Sequence, residues 1–156
     1  VWKALEDAYR AGKLRAIGIS NFLIDDLESL LPSCDIKPMV NQVLAHIGNT
    51  PIELIRFCQK QSIAMDAYSP IAHGEALKNS SIVSMAKKYG VSVPQLCVKY
   101  ILQLGLAALP KASTLEHMRD NASLDFEISA EDLHALEMLD FKEYGEHSHF
   151  PVFSGK

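Results

Sequence analysis

Ser20-Asn21, Asn41-Gln42, Tyr68-Ser69 and Lys111 place hydroxyl, carboxamide, phenol and ammonium groups in or just after short apolar runs of the chain. Hydroxyl and amide groups can pair with a carboxamide, an aromatic face can stack on a flat ring, and a lysine beside a helix N-terminus favours phosphate. Each residue also has a plain structural explanation. Asn and Ser cap helices and turns, a tyrosine at a core edge keeps its hydroxyl wet, and a surface lysine is solvated. As a set, however, they suit a nicotinamide dinucleotide.

Other chemistries find less support. Cys34, Cys58 and Cys97 are odd in number, far apart and without a Cys-x-x-Cys pair, so reduced thiols that are buried or half-buried are expected. No Gly-x-Ser-x-Gly elbow occurs, and no histidine lies near a cysteine in sequence to suggest a thiolate nucleophile. His147 and His149, with Glu143 and Glu146, offer a weak divalent-ion set at most, and a solvated acidic tail is the default there, so no metal site is expected. Asn79-Ser80-Ser81 and Asn121-Ala122-Ser123 match glycosylation sequons that carry no meaning in a cytosolic chain. Met65, Met85, Met118 and Met138 read as core filler.

These groups must be held by ordered elements, and the composition permits a packed core: 156 residues, 48% hydrophobic and 22% charged. Fifteen Lys and Arg against 19 Asp and Glu give a net charge of -4, with no basic stretch for nucleic acid or an anionic membrane. No run of about 18 apolar residues is present, and the first residues read as neither a signal nor a transit peptide, so a cytoplasmic protein is expected. Because Val1 falls inside a helical pattern, the chain reads as a piece of something longer.

Strand-type runs are expected at 16–20, 39–43, 63–68 and 106–109. Between them, helical spacing and end signals predict helices from Val1 to Ala11 closed by Gly12, from Asp25 to Leu31 stopped by Pro32, and from Pro51 to Gln61 with a Thr50/Glu53 capping box. Further helices run from Ser81 to Tyr89 closed by Gly90, and from Val93 to Leu104 with a Ser92/Gln95 capping box. The last two start at Ser113-Thr114 and at Ser129, the final one reaching Asp140, and residues 141–156 form an aperiodic tail.

Strands each followed by one or two helices require parallel pairing, which makes the class α/β. An open doubly wound sheet and part of an eight-stranded barrel both fit. A whole barrel takes about 250 residues, while an open sheet would ordinarily carry a glycine-rich phosphate turn, and neither G-x-G-x-x-G nor G-x-x-x-x-G-K-[ST] occurs. In both architectures ligands gather at the carboxyl ends of the strands, where the polar residues lie.

Gly12-Lys13-Leu14-Arg15-Ala16-Ile17-Gly18-Ile19-Ser20-Asn21-Phe22, Val40-Asn41-Gln42-Val43, Ala67-Tyr68-Ser69-Pro70 and Leu109-Pro110-Lys111, with Asn121 ten residues on, resemble the successive signatures of the aldo-keto reductases in order and spacing. The resemblance extends from Val1 to about Asp140. It implies the C-terminal half of a (β/α)8 TIM barrel, four parallel strands with flanking helices, as a single partial domain over 1–156, and an enzyme that reduces aldehydes and ketones with NADPH, or alternatively NADH.

The resemblance also implies roles. Ser20, Asn21 and Gln42 would bond the nicotinamide carboxamide, Tyr68 would stack on the ring, and Ser69 and Ile71 would line the pyrophosphate path. Lys111 would meet the 2'-phosphate and Asn121 the adenine, while His117 stands where an arginine usually flanks that phosphate, which weakens the preference for NADPH. Ala112 replaces a common serine. Leu44-Ala45-His46-Ile47 replaces the family's Glu-x-His-Pro, and His46 is expected to be structural. His149, Phe150 and Phe153, on a tail that covers the substrate mouth in the family, would shape specificity.

The family's catalytic Asp, Tyr, Lys and His lie on strands outside this chain, so no catalytic residue is expected within it. Tyr68 is no replacement for the tyrosine acid, because its implied place is against the cofactor. The expected partners are a small aldehyde or ketone and a missing N-terminal half or second copy that covers the open sheet edges. The competing expectation is an inactive half-barrel that self-associates as an assembly or dinucleotide-binding module.

Overall fold

A computed structural model describes residues 1–142 and 144 of the chain. Its elements are α1 (Trp2–Arg10), β1 (Gly18–Ser20), α2 (Ile24–Leu30), β2 (Val40–Leu44), α3 (Ile52–Lys60), β3 (Ala64–Tyr68), α4 (Ser80–Tyr89), α5 (Val93–Gln103), β4 (Ala107–Leu109), α6 (Leu115–Ala122) and α7 (Ala130–Glu137), with 3-10 turns at Leu31–Ser33 and Ala72–Lys78. The strands form one sheet in chain order, β1-β2-β3-β4. β1 and β2 run parallel with Gly18 opposite Val40 and Ser20 opposite Gln42. This is the parallel α/β arrangement expected from the alternation of strand and helix signals.

Two compact units share the chain, Val1–Val43 with Pro51–Asp66 and Leu44–Thr50 with Ala67–Lys156. In the first, Ile17, Leu27, Val43, Leu54, Ile55 and Cys58 are buried, and burial of such side chains is the main driving force for the unit. α1 is tied down by polar contacts: the Trp2 indole N–H donates to Ile36 O at 3.0 Å, and the buried Glu6 carboxylate accepts from the backbone N–H groups of Asp35 and Ile36 at 2.8 and 2.9 Å. Those backbone donors, Ile36 first, hold the Glu6 carboxyl below the usual carboxylate range. Gly12 at φ +68 turns the chain out of α1 in the left-handed conformation its position predicts. Gly18 has a different reason to be glycine, since a Cβ there would lie 2.4 Å from the Val40 side chain across the strand pair.

In the second unit α5 carries much of the core, with Leu96, Cys97, Val98, Tyr100 and Ile101 buried. The Ser92/Gln95 capping box forms as expected, and Gly90 at φ +66 closes α4. Ser129 caps α7 by accepting from the Asp132 N–H. Asn79, read only as part of a sequon, caps α4 by accepting from the N–H groups of Ser81 and Ile82.

Several expectations fail in detail. Thr50 makes no cap for α3; its hydroxyl donates to His46 O at 3.3 Å and shares a 2.6 Å hydrogen bond with the Tyr100 hydroxyl. A buried tyrosine oxygen needs a partner, and Tyr100 wins the threonine from the helix end. Met118 and Met138 are exposed rather than core, while Met65 is buried. α7 stops at Glu137 instead of Asp140. The three cysteines are unpaired, Cys58 and Cys97 buried and Cys34 half-buried, as expected.

Candidate functional site

In the first unit the C-terminal ends of β1 and β2 are stapled together. Gln42 O accepts from the Asn21 backbone N–H at 2.9 Å and from the Ser20 hydroxyl at 3.0 Å, and the Asn41 side-chain amide donates to Phe22 O at 2.9 Å. Asn21 sits at φ 57, the left-handed region that Asn tolerates better than most residues. Along β2 burial alternates: Asn41 and Val43 are buried, while Val40, Gln42 and Leu44 are half-buried. The Gln42 side chain therefore lies on the face opposite Asn41. Ser20, Asn21 and Gln42, predicted as a set, are brought together on one pair of strand ends, where hydroxyl and carboxamide groups can serve a ligand carboxamide with both donors and acceptors.

In the second unit a cavity of about 520 Å³ is lined by Ser69, Ile71, Lys111, His117 and Asn121, five of the residues predicted from sequence. His73, Gly74, Asp120 and the apolar side chains of Leu77, Pro94 and Leu109 also line it. Local chain geometry explains the grouping. α6 starts at Thr114, whose hydroxyl accepts from the His117 N–H at 3.1 Å, and four-residue helical spacing then sets His117 and Asn121 on one face. Ser69 at φ 53 begins the sharp turn after β3, and Ala72, His73 and Gly74 continue it with positive φ. The Ser69 hydroxyl meets His73 Nε2 at 3.1 Å. Asp120, the one carboxylate in this wall, is occupied by the Ser92 hydroxyl at 2.8 Å. Lys111 is exposed at the rim.

Tyr68 is the last residue of β3 and is half-buried. Sequence reasoning did not find His73, Leu77, Pro94 or Asp120; for His73 and Leu77 the reason is that residues 72–78 follow a 3-10 path broken by left-handed residues and show no periodicity. Pro70, just before that stretch, and Gly74, within it, were the signal it carried.

His46 is fully buried, as its structural reading requires. Its Nδ1–H donates to Ile47 O at 2.6 Å, which leaves Nε2 to accept from the Tyr144 hydroxyl at 2.9 Å. Burial pushes its pKa down to about 4, with the Ile47 carbonyl pulling the other way. Burial likewise pushes the Tyr144 and Tyr100 hydroxyls up to about 12. Tyr144, given no role by its sequence, is buried, and the Phe141 N–H donates to Gly48 O at 2.9 Å. His147, His149, Phe150 and Phe153, with Glu143 and Glu146, lie outside the described residues. Among the described residues no group of three or more His, Cys, Asp or Glu is placed to hold a metal ion, and no helix is long and apolar enough to cross a membrane.

A cofactor of the kind the sequence suggests asks for amide and hydroxyl partners and for a cationic, partly apolar cavity; the strand ends of the first unit offer groups of the former kind and the second unit holds a cavity of the latter kind. The sequence pattern described as Aldo/keto reductase family matches residues 1–140. Glyoxal reductase of Bacillus subtilis is 41% identical over 143 residues, 91% of this chain and 52% of the relative. An aldo-keto reductase from a Medee basin deep-sea metagenome library superposes with a TM-score of 0.84 at 31% identity, over 89% of this chain and 53% of that one. An aldo-keto reductase solved with NADPH gives a TM-score of 0.83 at 31% identity, over 89% and 46%. The chain thus spans about half the length of the curated relatives it matches.

Proposed function

The chain belongs to the aldo-keto reductase family, and from that premise we propose that it supplies the cofactor-binding, C-terminal half of a cytoplasmic NAD(P)H-dependent reductase of aldehydes or ketones, as a single partial domain over 1–156. NADPH, when bound, supplies a hydride for the carbonyl carbon. The roles of this chain are to bind and orient. Ser20, Asn21 and Gln42 hold the carboxamide and so fix which face of the ring is offered. Tyr68 lends its aromatic face to the ring. Ser69 and Ile71 border the pyrophosphate path, Lys111 and His117 meet the 2'-phosphate, and Asn121 meets the adenine. The acid that protonates the carbonyl oxygen lies outside the chain, which alone binds dinucleotide without turning substrate over.

The observation that carries this reading is the single cavity that gathers Lys111, His117 and Asn121 with Ser69 and Ile71. Calorimetric titration of the chain with NADPH tests it. Lys111→Ala is expected to weaken binding about tenfold, as loss of a charge-assisted phosphate contact does; unchanged affinity refutes the assignment. The position of β1 and β4 at the two ends of the sheet favours a second element of the reading, that a missing N-terminal half or a second copy covers those edges. Light scattering checks it, and a monodisperse monomer at 17.3 kDa counts against it.

A further inference from the structure

Asn41 is fully buried in β2, with its side chain on the face opposite Gln42. Its Oδ1 has no hydrogen-bond partner among the described residues, and the neighbouring polar group is the Cys58 thiol, pushed up by burial and drawn back by Asn41. A buried amide with an unsatisfied oxygen is a net cost to the strand, where a valine or leucine would pack without it. Beside its contact with the Cys58 thiol, what the amide secures is the bond from Nδ2–H to Phe22 O at 2.9 Å. Phe22 directly follows Asn21, the left-handed residue whose N–H is bonded to Gln42 O. The two bonds grip the turn on either side of the Asn21–Phe22 peptide, one from the β2 backbone at Gln42 and one from the buried Asn41 side chain.

We propose that Asn41 is a positioning residue for nicotinamide recognition: by anchoring Phe22 O from the buried face of β2, it holds the Ser20-Asn21 turn against Gln42 in the arrangement that receives a carboxamide. The inference rests on the dinucleotide reading above and extends it to a residue that does not touch the cofactor. Without the Nδ2 bond the turn loses its hold at Phe22 O, and Asn21 relaxes toward ordinary φ, which pulls against its bond to Gln42 O. The ligand's phosphate and adenine ends make no use of this anchor.

The two kinds of failure separate by comparing two ligands on the 156-residue chain: NADP+ and 2'-phospho-ADP-ribose, which lacks only the nicotinamide. In the natural sequence NADP+ binds more tightly, and the ratio of the two affinities measures nicotinamide recognition. Asn41→Leu is expected to cut that ratio about fivefold, the worth of one hydrogen bond, while changing the affinity for 2'-phospho-ADP-ribose less than about twofold. Asn41→Asp, nearly isosteric, provides the second measurement. Its carboxylate cannot donate to Phe22 O at neutral pH, whereas the protonated acid can. Its ratio therefore recovers as pH is lowered from 7 toward 5, while the ratio of the natural sequence stays flat because Lys111, His117 and Asp120 face a part common to both ligands and the Cys58 thiol stays neutral. An unchanged ratio in Asn41→Leu, or equal losses for both ligands, overturns the positioning role and leaves the dinucleotide reading standing. Absence of binding of either ligand to the natural chain overturns that reading and the inference with it.

Discussion

Acid should destabilise this protein through His46 before its carboxylates titrate. The ring is neutral in the fold, donating from Nδ1 to Ile47 O and accepting at Nε2 from Tyr144, and burial moves its pKa from 6.5 to about 4. Because the folded pKa is depressed, the unfolded chain takes up the proton first as pH falls. The contribution is fully present above about 6.5 and is lost between there and about 4. That interval of about 2.5 units corresponds to about 3 kcal/mol in all, of which about 2 kcal/mol is lost between pH 7 and pH 5. Glu6, Asp35 and Asp132 all have lowered pKa values, so their contributions are lost lower on the pH scale. Denaturant unfolding of the chain at pH 7, 6 and 5 measures the slope, and His46→Gln, which cannot titrate, is the control. The variant is expected to be less stable at pH 7 and to lose about 2 kcal/mol less than the natural chain on going to pH 5. Parallel pH curves for the two proteins, or a His46 ring that titrates near 6.5 by NMR, would refute the reasoning.

Three more outcomes are expected. Gly48→Ala places a methyl 2.2 Å from the Phe141 ring at φ +94, so it should cost about 2 kcal/mol or more in chemical denaturation. Thr50→Val leaves the buried Tyr100 hydroxyl without its 2.6 Å partner, a loss of about 1 to 3 kcal/mol read as a lower unfolding midpoint. His117→Arg should raise the preference for NADPH over NADH about tenfold in paired titrations, since a guanidinium fork suits the 2'-phosphate; a preference that falls or stays level would remove His117 from the phosphate site.

The parts of the fold legible in the sequence were those written in local chemistry. Ser92 with Gln95, Ser129 with Asp132, and Gly12 and Gly90 past their helices mark ends because capping is a matter of a few adjacent residues. Thr50 looked like the same kind of mark, but its partner Tyr100 is fifty residues away, and no local pattern announces that. Asn79 was hidden by the reverse error, a capping residue taken for part of an irrelevant motif. The polar strand ends were visible because polar residues interrupt apolar runs, so Ser20, Asn21 and Gln42 could be grouped. His73 could not, because a string of left-handed residues places it at the cavity, and backbone conformation of that kind leaves little trace in residue type beyond Gly74. Tyr144 lies in a stretch without periodicity, and its hydrogen bond to a residue 98 positions earlier, with its ring contacts to His46 and His73, shows why it is buried.

That span has a consequence for how the protein is made. A ribosome releases His46 long before Tyr144, and at about 5 to 20 residues per second the interval is roughly 5 to 20 seconds. During synthesis the imidazole, Ile47 and Gly48 must wait without the chain that covers them, and a nascent polypeptide stalled short of residue 140 would present them to chaperones. Synthesis of the segment that carries Phe141 and Tyr144, rather than the emergence of any one helix, is then the event that seals this corner of the molecule.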